Sequence, residues 1–267
     1  TGAIERPLAF SENDKPGVIL ASALRDYIVN YSVTLGDRTV IVTNNDDAYL
    51  TAIILKKAGL EVPAIIDARH NGASDLGEKV KRMGITVKTG KGIAKVLGGK
   101  RVTGVAICAQ AGEGTVLEEI DCECVAMSGG WSPVVHLFSH CGGKLFWDDD
   151  KCMFRPDARF YPKDQNGNDF VLPVGAANGL MSLSNILKDV NVVASRAVNI
   201  KELKKLPLAC MRAETPIQTV WMMPQGAGIK LRSKAWLDFQ NDVKVSDVQL
   251  AAQEGFQSVE HAKRYTT

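Results

Sequence analysis

The sequence predicts an α/β fold organised on a parallel sheet, and three observations carry that prediction. Thr39–Thr43 (TVIVT), Asp46–Ala58 (DDAYLTAIILKKA) and Val62–Asp67 (VPAIID) read as strand, helix and strand. Such a unit favours parallel neighbours joined by a right-handed crossover. Phe170–Gly175 (FVLPVG) reads as another strand, followed by the small-residue turn Gly175-Ala176-Ala177-Asn178-Gly179 and a helix over Leu180–Val198. The 267 residues are 45% hydrophobic and 23% charged, an ordinary globular composition with enough apolar residues for a large core or two domains.

The remaining elements follow in order. Residues 8–17 (LAFSENDKPG) are turn-rich and read as a connector. Over Val18–Tyr31, apolar residues recur at helical spacing: Ile19, Leu20, Ala23, Leu24, Tyr27, Ile28 and Tyr31. The 46–58 helix carries acids in its first turn and stops at Gly59. Leu76–Met83 reads as a short helix ending at Gly84, then Ile85–Thr89 as a strand. Lys91–Val96, Arg101–Ala109 and Cys122–Met127 alternate as short strands of a meander, with Gly98-Gly99 as a hairpin turn. Residues 163–169 (KDQNGND) are a polar surface loop. From about Asn199 the chain turns Lys-rich and then Pro-punctuated, with helical stretches at Ser246–Glu254 and Ser258–Arg264; a domain boundary is expected near residue 200.

A formal net charge of +2 supplies no field for nucleic acid or anionic membrane, and no stretch nears the roughly 20 apolar residues that span a bilayer. A cytoplasmic protein is expected. The chain opens on Thr1-Gly2-Ala3-Ile4-Glu5-Arg6-Pro7 without Met or a targeting pattern, and closes straight after a helical pattern, so it reads as an internal piece of a longer polypeptide. Cysteines 108, 122, 124, 141, 152 and 210 form no C-x-x-C pair, which fits free thiols in a reducing compartment. Cys122 and Cys124, two apart on an expected strand, point to one face. His136 and His140 are four apart beside Cys141 but lack a third ligand at helical spacing, so no metal is expected.

A βαβ unit that grips a dinucleotide needs G-x-G-x-x-G between strand and helix, so that the backbone reaches the pyrophosphate. Here that place holds Thr43-Asn44-Asn45-Asp46-Asp47-Ala48. Side chains replace every glycine, and two aspartates meet the incoming phosphate charge. Asp67 stands where a ribose-binding acid belongs. The unit reads as a nucleotide-binding fold that has lost its ligand; the alternative is an unusual nucleotide mode through Asn44 and Asn45. Two other small-residue turns stand out. Thr1-Gly2-Ala3 suits a strand end beside a dinucleotide. The amides of Gly175–Gly179 suit an anion, or the small residues serve close packing alone.

Four segments carry a family resemblance: the opening Thr-Gly-Ala-Ile-Glu-Arg-Pro-Leu, Ser128-Gly129-Gly130-Trp131-Ser132-Pro133, Asp238-Phe239-Gln240-Asn241-Asp242-Val243, and Ser258 through Thr267 (SVEHAKRYTT). In this order and over the whole chain, the sequence resembles the α subunit of heterotetrameric sarcosine oxidase. The resemblance implies glutathione-reductase-like nested dinucleotide-binding domains plus a small C-terminal helical domain. Residues 1–31 would end the first half of the outer domain and connect onward. Residues 32–127 would be the nested, degenerate nucleotide-binding domain, 128–200 the returning part of the outer domain, and 201–267 a small helical domain resembling a [2Fe–2S]-binding domain without its cysteines.

The complete enzyme of that family oxidatively demethylates sarcosine to glycine, passes the one-carbon unit to tetrahydrofolate and yields hydrogen peroxide. The resemblance places NAD in the α subunit, FMN at the interface with the β subunit and FAD in the β subunit, with γ and δ subunits completing the assembly. Carried over, Thr1, Gly2, Ala3, Arg6 and Gly175, Ala176, Ala177, Asn178 and Gly179 become NAD contacts, and Lys263, Arg264 and Thr266 candidates for the FMN phosphate. Ala176 stands where reductases place an acid on a flavin ribityl hydroxyl, which argues against FAD there. Asp, Gln and Asn stand where a [2Fe–2S] cluster needs thiolates, so none is expected. No catalytic residue is identified, and this piece alone is expected to be inactive and free of cofactor. The folate region lies beyond these residues. The alternatives are a subunit of a proline- or opine-type amine dehydrogenase, and a pyridine nucleotide-disulfide oxidoreductase-like flavoprotein.

Overall fold

The computed structural model describes residues 2–72, 75–198, 207, 209 and 216–267. Thr1, Cys210 and the expected boundary near residue 200 lie outside them. In chain order the strands are β1 (Ala3–Glu5), β2 (Val18–Leu20), β3 (Thr39–Thr43), β4 (Ala64–Asp67), β5 (Thr86–Thr89), β6 (Lys91–Leu97) and β7 (Gly104–Ala109). There follow β8 (Glu118–Asp121), β9 (Cys124–Ser128), β10 (Trp131–Pro133), β11 (Leu145–Asp148), β12 (Met153–Pro156), β13 (Trp236–Asp238) and β14 (Val243–Lys244). The helices are α1 (Ala21–Tyr31), α2 (Asp47–Lys57), α3 (Asp75–Arg82), α4 (His136–His140), α5 (Leu183–Ala197), α6 (Ile229–Arg232), α7 (Val245–Gln253) and α8 (Val259–Thr266).

Two compact units divide the chain: Arg6–Gly130 with Gln218–Thr267, and Thr1–Glu5 with Trp131–Ile217. The first holds a five-stranded parallel sheet in the order β2-β9-β3-β4-β5 and an antiparallel meander β6-β7-β8. Alternation along the buried strands sorts their side chains into two layers. Ile41, Ile65, Cys124 and Ala126 pack with Leu24, Tyr49, Ala52, Leu55 and Val80 of α1, α2 and α3. Val40, Val42, Ile66, Val125 and Met127 pack with Ile93, Val96, Val105 and Ile107 of the meander. Each such aliphatic side chain contributes about 1.5–3 kcal/mol on burial. The fold class is therefore α/β with a parallel sheet, as the sequence predicts.

Several elements differ from the sequence reading. Val18–Leu20 is a strand rather than the first turn of a helix, because three apolar residues carry no period of their own. Cys124–Ser128 joins the centre of the parallel sheet instead of the meander, whose third strand is the acidic Glu118–Asp121. The chain also turns at Glu123, where the amides of Glu123 and Cys124 both donate to the Arg38 carbonyl. Cys122 therefore packs in the meander layer and Cys124 in the helix layer, on opposite faces rather than one.

In the second unit β1 pairs antiparallel with β10, and β11 with β12. Phe170–Val174 forms no strand, and Pro173 in its middle lacks a ladder donor. Gly175–Asn178 is one turn of 3-10 helix. α5 begins only at Leu183, where the Ser182 hydroxyl accepts from the Asn185 amide. No helix among the described residues is long and apolar enough to cross a membrane.

Candidate functional site

Open α/β sheets bind ligands at the carboxyl ends of their strands, where the strand order reverses. In the sheet unit that place lies between β3, which continues through α2 to β4 on one side, and β9 on the other. Its wall is Thr43–Asp47, in which Thr43, Asn44 and Asn45 are buried and Asp46 and Asp47 are partly exposed. Asn45 Nδ2 donates to the Ser128 carbonyl (3.2 Å), Ser128 Oγ (3.0 Å) and Asn44 Oδ1 (3.1 Å), while Asn45 Oδ1 accepts from the Asp47 amide (3.0 Å). Asn44 Nδ2 donates to the carbonyls of Gln218 (2.8 Å) and Gly129 (3.4 Å). A nucleotide mode through these two asparagines would have to break those bonds.

Beside them sits a buried ion cluster. Asp67 is fully buried and Arg69 is 5% exposed. The guanidinium donates from Nη2 to Asp67 Oδ2 (2.8 Å), from Nε to Asp67 Oδ1 (3.0 Å) and from Nη1 to Asp46 Oδ1 (2.8 Å). Tyr49 donates its hydroxyl to Asp67 Oδ2 at 2.7 Å. Burial by itself would lower the Arg69 pKa; the bonds and charges of Asp67 and Asp46 outweigh it and hold the guanidinium above its usual range. Arg25 pairs with Asp47 at 3.0 Å. Three carboxylates thus face two guanidiniums. Asp67, placed by the sequence as a ribose acid, is spent on Arg69 and Tyr49.

The second place is the Gly175–Gly179 turn. Gly175 and Gly179 take φ values of +60° and +76°, and a Cβ on Gly179 would clash with Arg155 Nε. Side chains from two other elements hold the turn. Arg155 Nε donates to the Asn178 carbonyl (3.1 Å) and Lys151 Nζ to the Gly179 carbonyl (3.1 Å). Arg155 is itself anchored on Asp148 Oδ2 at 2.7 Å; burial pushes the Asp148 carboxyl up, and that bond, the Lys151 amide and the charges of Arg155 and Lys151 together outweigh it and keep its pKa below the ordinary value. From α5, Asp189 accepts from the Gly175 amide (2.7 Å) and from Asn178 Nδ2 (3.4 Å). The first amide of the turn, read from the sequence as an anion donor, already has a carboxylate.

In front of the turn lies a cleft of about 410 Å³, lined by Phe146, Arg155, Pro156, Asp157, Ala158, Arg159, Tyr161 and Asn178. Gly2 and Ala3 belong to the same unit: the Gly2 carbonyl accepts from Val134, Ala3 pairs with Pro133, and β10 packs against the turn. Arg6 lies in the sheet unit, its backbone paired with Gly129 and Gly130. Lys263, Arg264 and Thr266 lie on the last turns of α8. Arg264 is 3.8 Å from Glu260, and the Thr266 hydroxyl donates to the Ala262 carbonyl (3.0 Å). The Asp238–Asp242 loop closes on its own carboxylate: Asp238 accepts from the Gln240 and Asn241 amides and from Asn241 Nδ2, which lowers its pKa. Among the described residues no group of three His, Cys, Asp or Glu is placed to hold a metal.

Sequence reasoning missed Arg69, Tyr49, Lys151, Arg155 and Asp189. Only Arg69, two residues past Asp67, had a local signal.

Residues 232–267 match the sarcosine oxidase A3 domain. Over its full length the chain is 36% identical to the sarcosine oxidase subunit alpha of Rhizobium meliloti (strain 1021) and 34% identical to that of Corynebacterium sp. (strain P-1). Over its whole length the chain is thus similar to a part of sarcosine oxidase α subunits. It spans about a quarter of the length of these relatives, 25% and 28% respectively. The fold is similar to that of L-proline dehydrogenase from P. horikoshii, with a TM-score of 0.62 at 15% identity, covering 100% of this chain and 47% of that one. It is also similar to T. acidophilum thioredoxin reductase, with a TM-score of 0.51 at 17% identity, covering 74% of this chain and 64% of that one. At 15% and 17% identity these two structures share the fold alone.

Proposed function

We propose that the chain works as part of the α subunit of a sarcosine oxidase, in an assembly with β, γ and δ subunits that demethylates sarcosine to glycine. The observation that supports this is the full-length 36% identity to a subunit of that name. On this reading the sheet unit is scaffold, its crevice occupied by Asn44, Asn45 and Arg69. The Gly175–Gly179 turn, with Gly2 and Ala3, carries the NAD site. Bound NAD there is a resident group, and what this chain supplies is a rigid turn held by Arg155, Lys151 and Asp189. Lys263 and Arg264 supply positive charge toward the FMN phosphate; the end of α8 itself, with its outward carbonyls, does not. Oxygen reduction to peroxide and transfer of the one-carbon unit to tetrahydrofolate belong to the rest of the assembly.

The test is to purify the assembly that contains this chain and add amines under anaerobic conditions. Bleaching of the flavin by sarcosine, with peroxide on readmitting oxygen, is the expected result. Bleaching by proline or an opine and not by sarcosine would instead make the chain a subunit of an amine dehydrogenase of another specificity. Sarcosine-dependent peroxide from residues 1–267 alone would contradict the scaffold role.

A further inference from the structure

We propose that residues 8–15 are a latch: they dock the C-terminal module, residues 232–267, on the meander, and they let it open as one body while the parallel sheet stays closed. Asn13 is the residue that sets the latch. This device is separate from the turn and the crevice described above and does not depend on their ligands.

The turn-rich stretch that reads from sequence as a connector has a partner on each side. Toward the meander, Ser11 bridges to Lys95, and its carbonyl accepts from the Val96 amide (3.1 Å). The buried Lys15 donates from Nζ to the carbonyls of Gly98 (2.6 Å) and Val96 (3.4 Å). Toward the module, Ser11 bridges to Ala235, and the Glu12 amide donates to the Lys234 carbonyl (2.7 Å). Glu12 takes a φ of +67°, a left-handed conformation that is costly for a residue with a Cβ, and its carboxylate meets Lys234 (2.7 Å) and Lys15 (3.5 Å). Asn13 is 2% exposed. Its Oδ1 accepts from the Trp236 amide (2.8 Å), and its Nδ2 donates to the carbonyls of Trp236 (2.9 Å) and Leu8 (3.0 Å). One side chain thus satisfies both backbone groups of Trp236, as a neighbouring strand would.

Two features make the module an opening body of its own. It closes on itself: β13 pairs with β14, Asp238 accepts from the Gln240 and Asn241 amides, the Lys244 amide donates to Asp247, and the rings of Phe256 and Tyr265 lie 4.8 Å apart. Its apolar seam with the rest is thin, for Ala235 and Val245 meet Ala9, Met222, Ala227 and Leu231. An alanine methyl buries far less apolar area than the Val, Ile and Leu side chains packed on both faces of the sheet, so hydrogen bonds carry a larger share of the docking. Regions with few buried apolar contacts are where proteins open locally. Truncating Asn13 leaves the Trp236 N–H and C=O without their partner, which raises the population of the open form and spares the sheet.

Hydrogen–deuterium exchange of the full chain, read by mass spectrometry in rising sub-denaturing urea, tests the latch. In the parent, peptides covering residues 236–253 should gain deuterium as a block, at lower urea than those covering β3 and β9. Asn13→Ala should speed exchange of that block about 10- to 100-fold, the worth of a buried pairing lost, and leave β3 and β9 unchanged. Lys234→Met removes only an exposed ion pair and should speed the block less than Asn13→Ala does. Exchange of the block together with β3 and β9 at one urea concentration would mean that the module opens only when everything unfolds, and the latch would be overturned. An Asn13→Ala block that exchanges at the parental rate would overturn it as well. Should Asn13→Ala not fold, the parental urea series decides alone.

Discussion

The Thr43–Asp47 turn of the sheet unit and the Gly175–Gly179 turn of the other unit differ in where their polar groups are spent. In the first, Asn44, Asn45 and Asp46 bond inward to Ser128, Gly129, Gln218 and Arg69, so the crevice is filled by the protein itself. In the second, Arg155, Lys151 and Asp189 secure the turn, and a cleft remains in front of it. A dinucleotide-type fold therefore carries no guarantee of a ligand; capacity depends on which way a few side chains direct their hydrogen bonds.

Breaking the filled crevice has the largest expected effect. Arg69→Met strands the fully buried Asp67 and leaves Asp46 facing it, and removing one partner of a buried pair costs about 3–5 kcal/mol. Urea unfolding should show that loss as a shifted midpoint. Replacing Asp46 and Asp67 by Asn together with Arg69→Met should recover much of it. A single variant as stable as the parent would mean that the ion cluster does not hold the crevice shut. Tyr49→Phe comes next: it removes a 2.7 Å hydrogen bond to the same carboxylate, worth about 1.5–3 kcal/mol, and the same unfolding curves measure it.

Much of this contrast was legible in the residues, and some was not. The run Thr43-Asn44-Asn45-Asp46-Asp47 shows that the phosphate-gripping glycines are absent, because that information is local in sequence. What fills the space is not local: the partners of Asn44 and Asn45 come from residues 128, 129 and 218. Likewise Gly175 and Gly179 announce a turn, but Asp189 and Arg155 reach it from 14 and 23 residues away. The apolar runs of β3 and β4 and the helix between them were placed well, because acids in the first turn of α2 and Gly59 after it mark where one element gives way to the next. Periodicity misplaced Val18–Leu20 and Cys122, where a three-residue strand and a chain reversal leave no period to read.

The open turn should respond more mildly. Gly179→Ala places a Cβ in a left-handed conformation that costs roughly 1–2 kcal/mol, and it must displace Arg155 from the Asn178 carbonyl. Urea unfolding should then show a loss of about that size, smaller than that of Arg69→Met. An unchanged midpoint would show that the Arg155 bond to the Asn178 carbonyl does not hold the turn.

The smallest effect tests how the charges that line the cleft before that turn are spent. Asp157 titrates at about 2, chiefly because Arg159 bonds its carboxylate, against an ordinary aspartate value of about 3.9. A lowered folded-state pKa contributes stability that is present above about pH 4 and lost as pH falls through about 2. At neutral pH the contribution is fully present, so Arg159→Met should lower the melting temperature at pH 7, and only slightly, since Arg159 is exposed and the pair is screened by solvent. Its signature is the carboxyl carbon of Asp157, observed by NMR: the midpoint should rise from about 2 toward the ordinary value in the variant. A parent midpoint already near 4 would mean that Arg159 is not held by Asp157. A free guanidinium would then face the cleft.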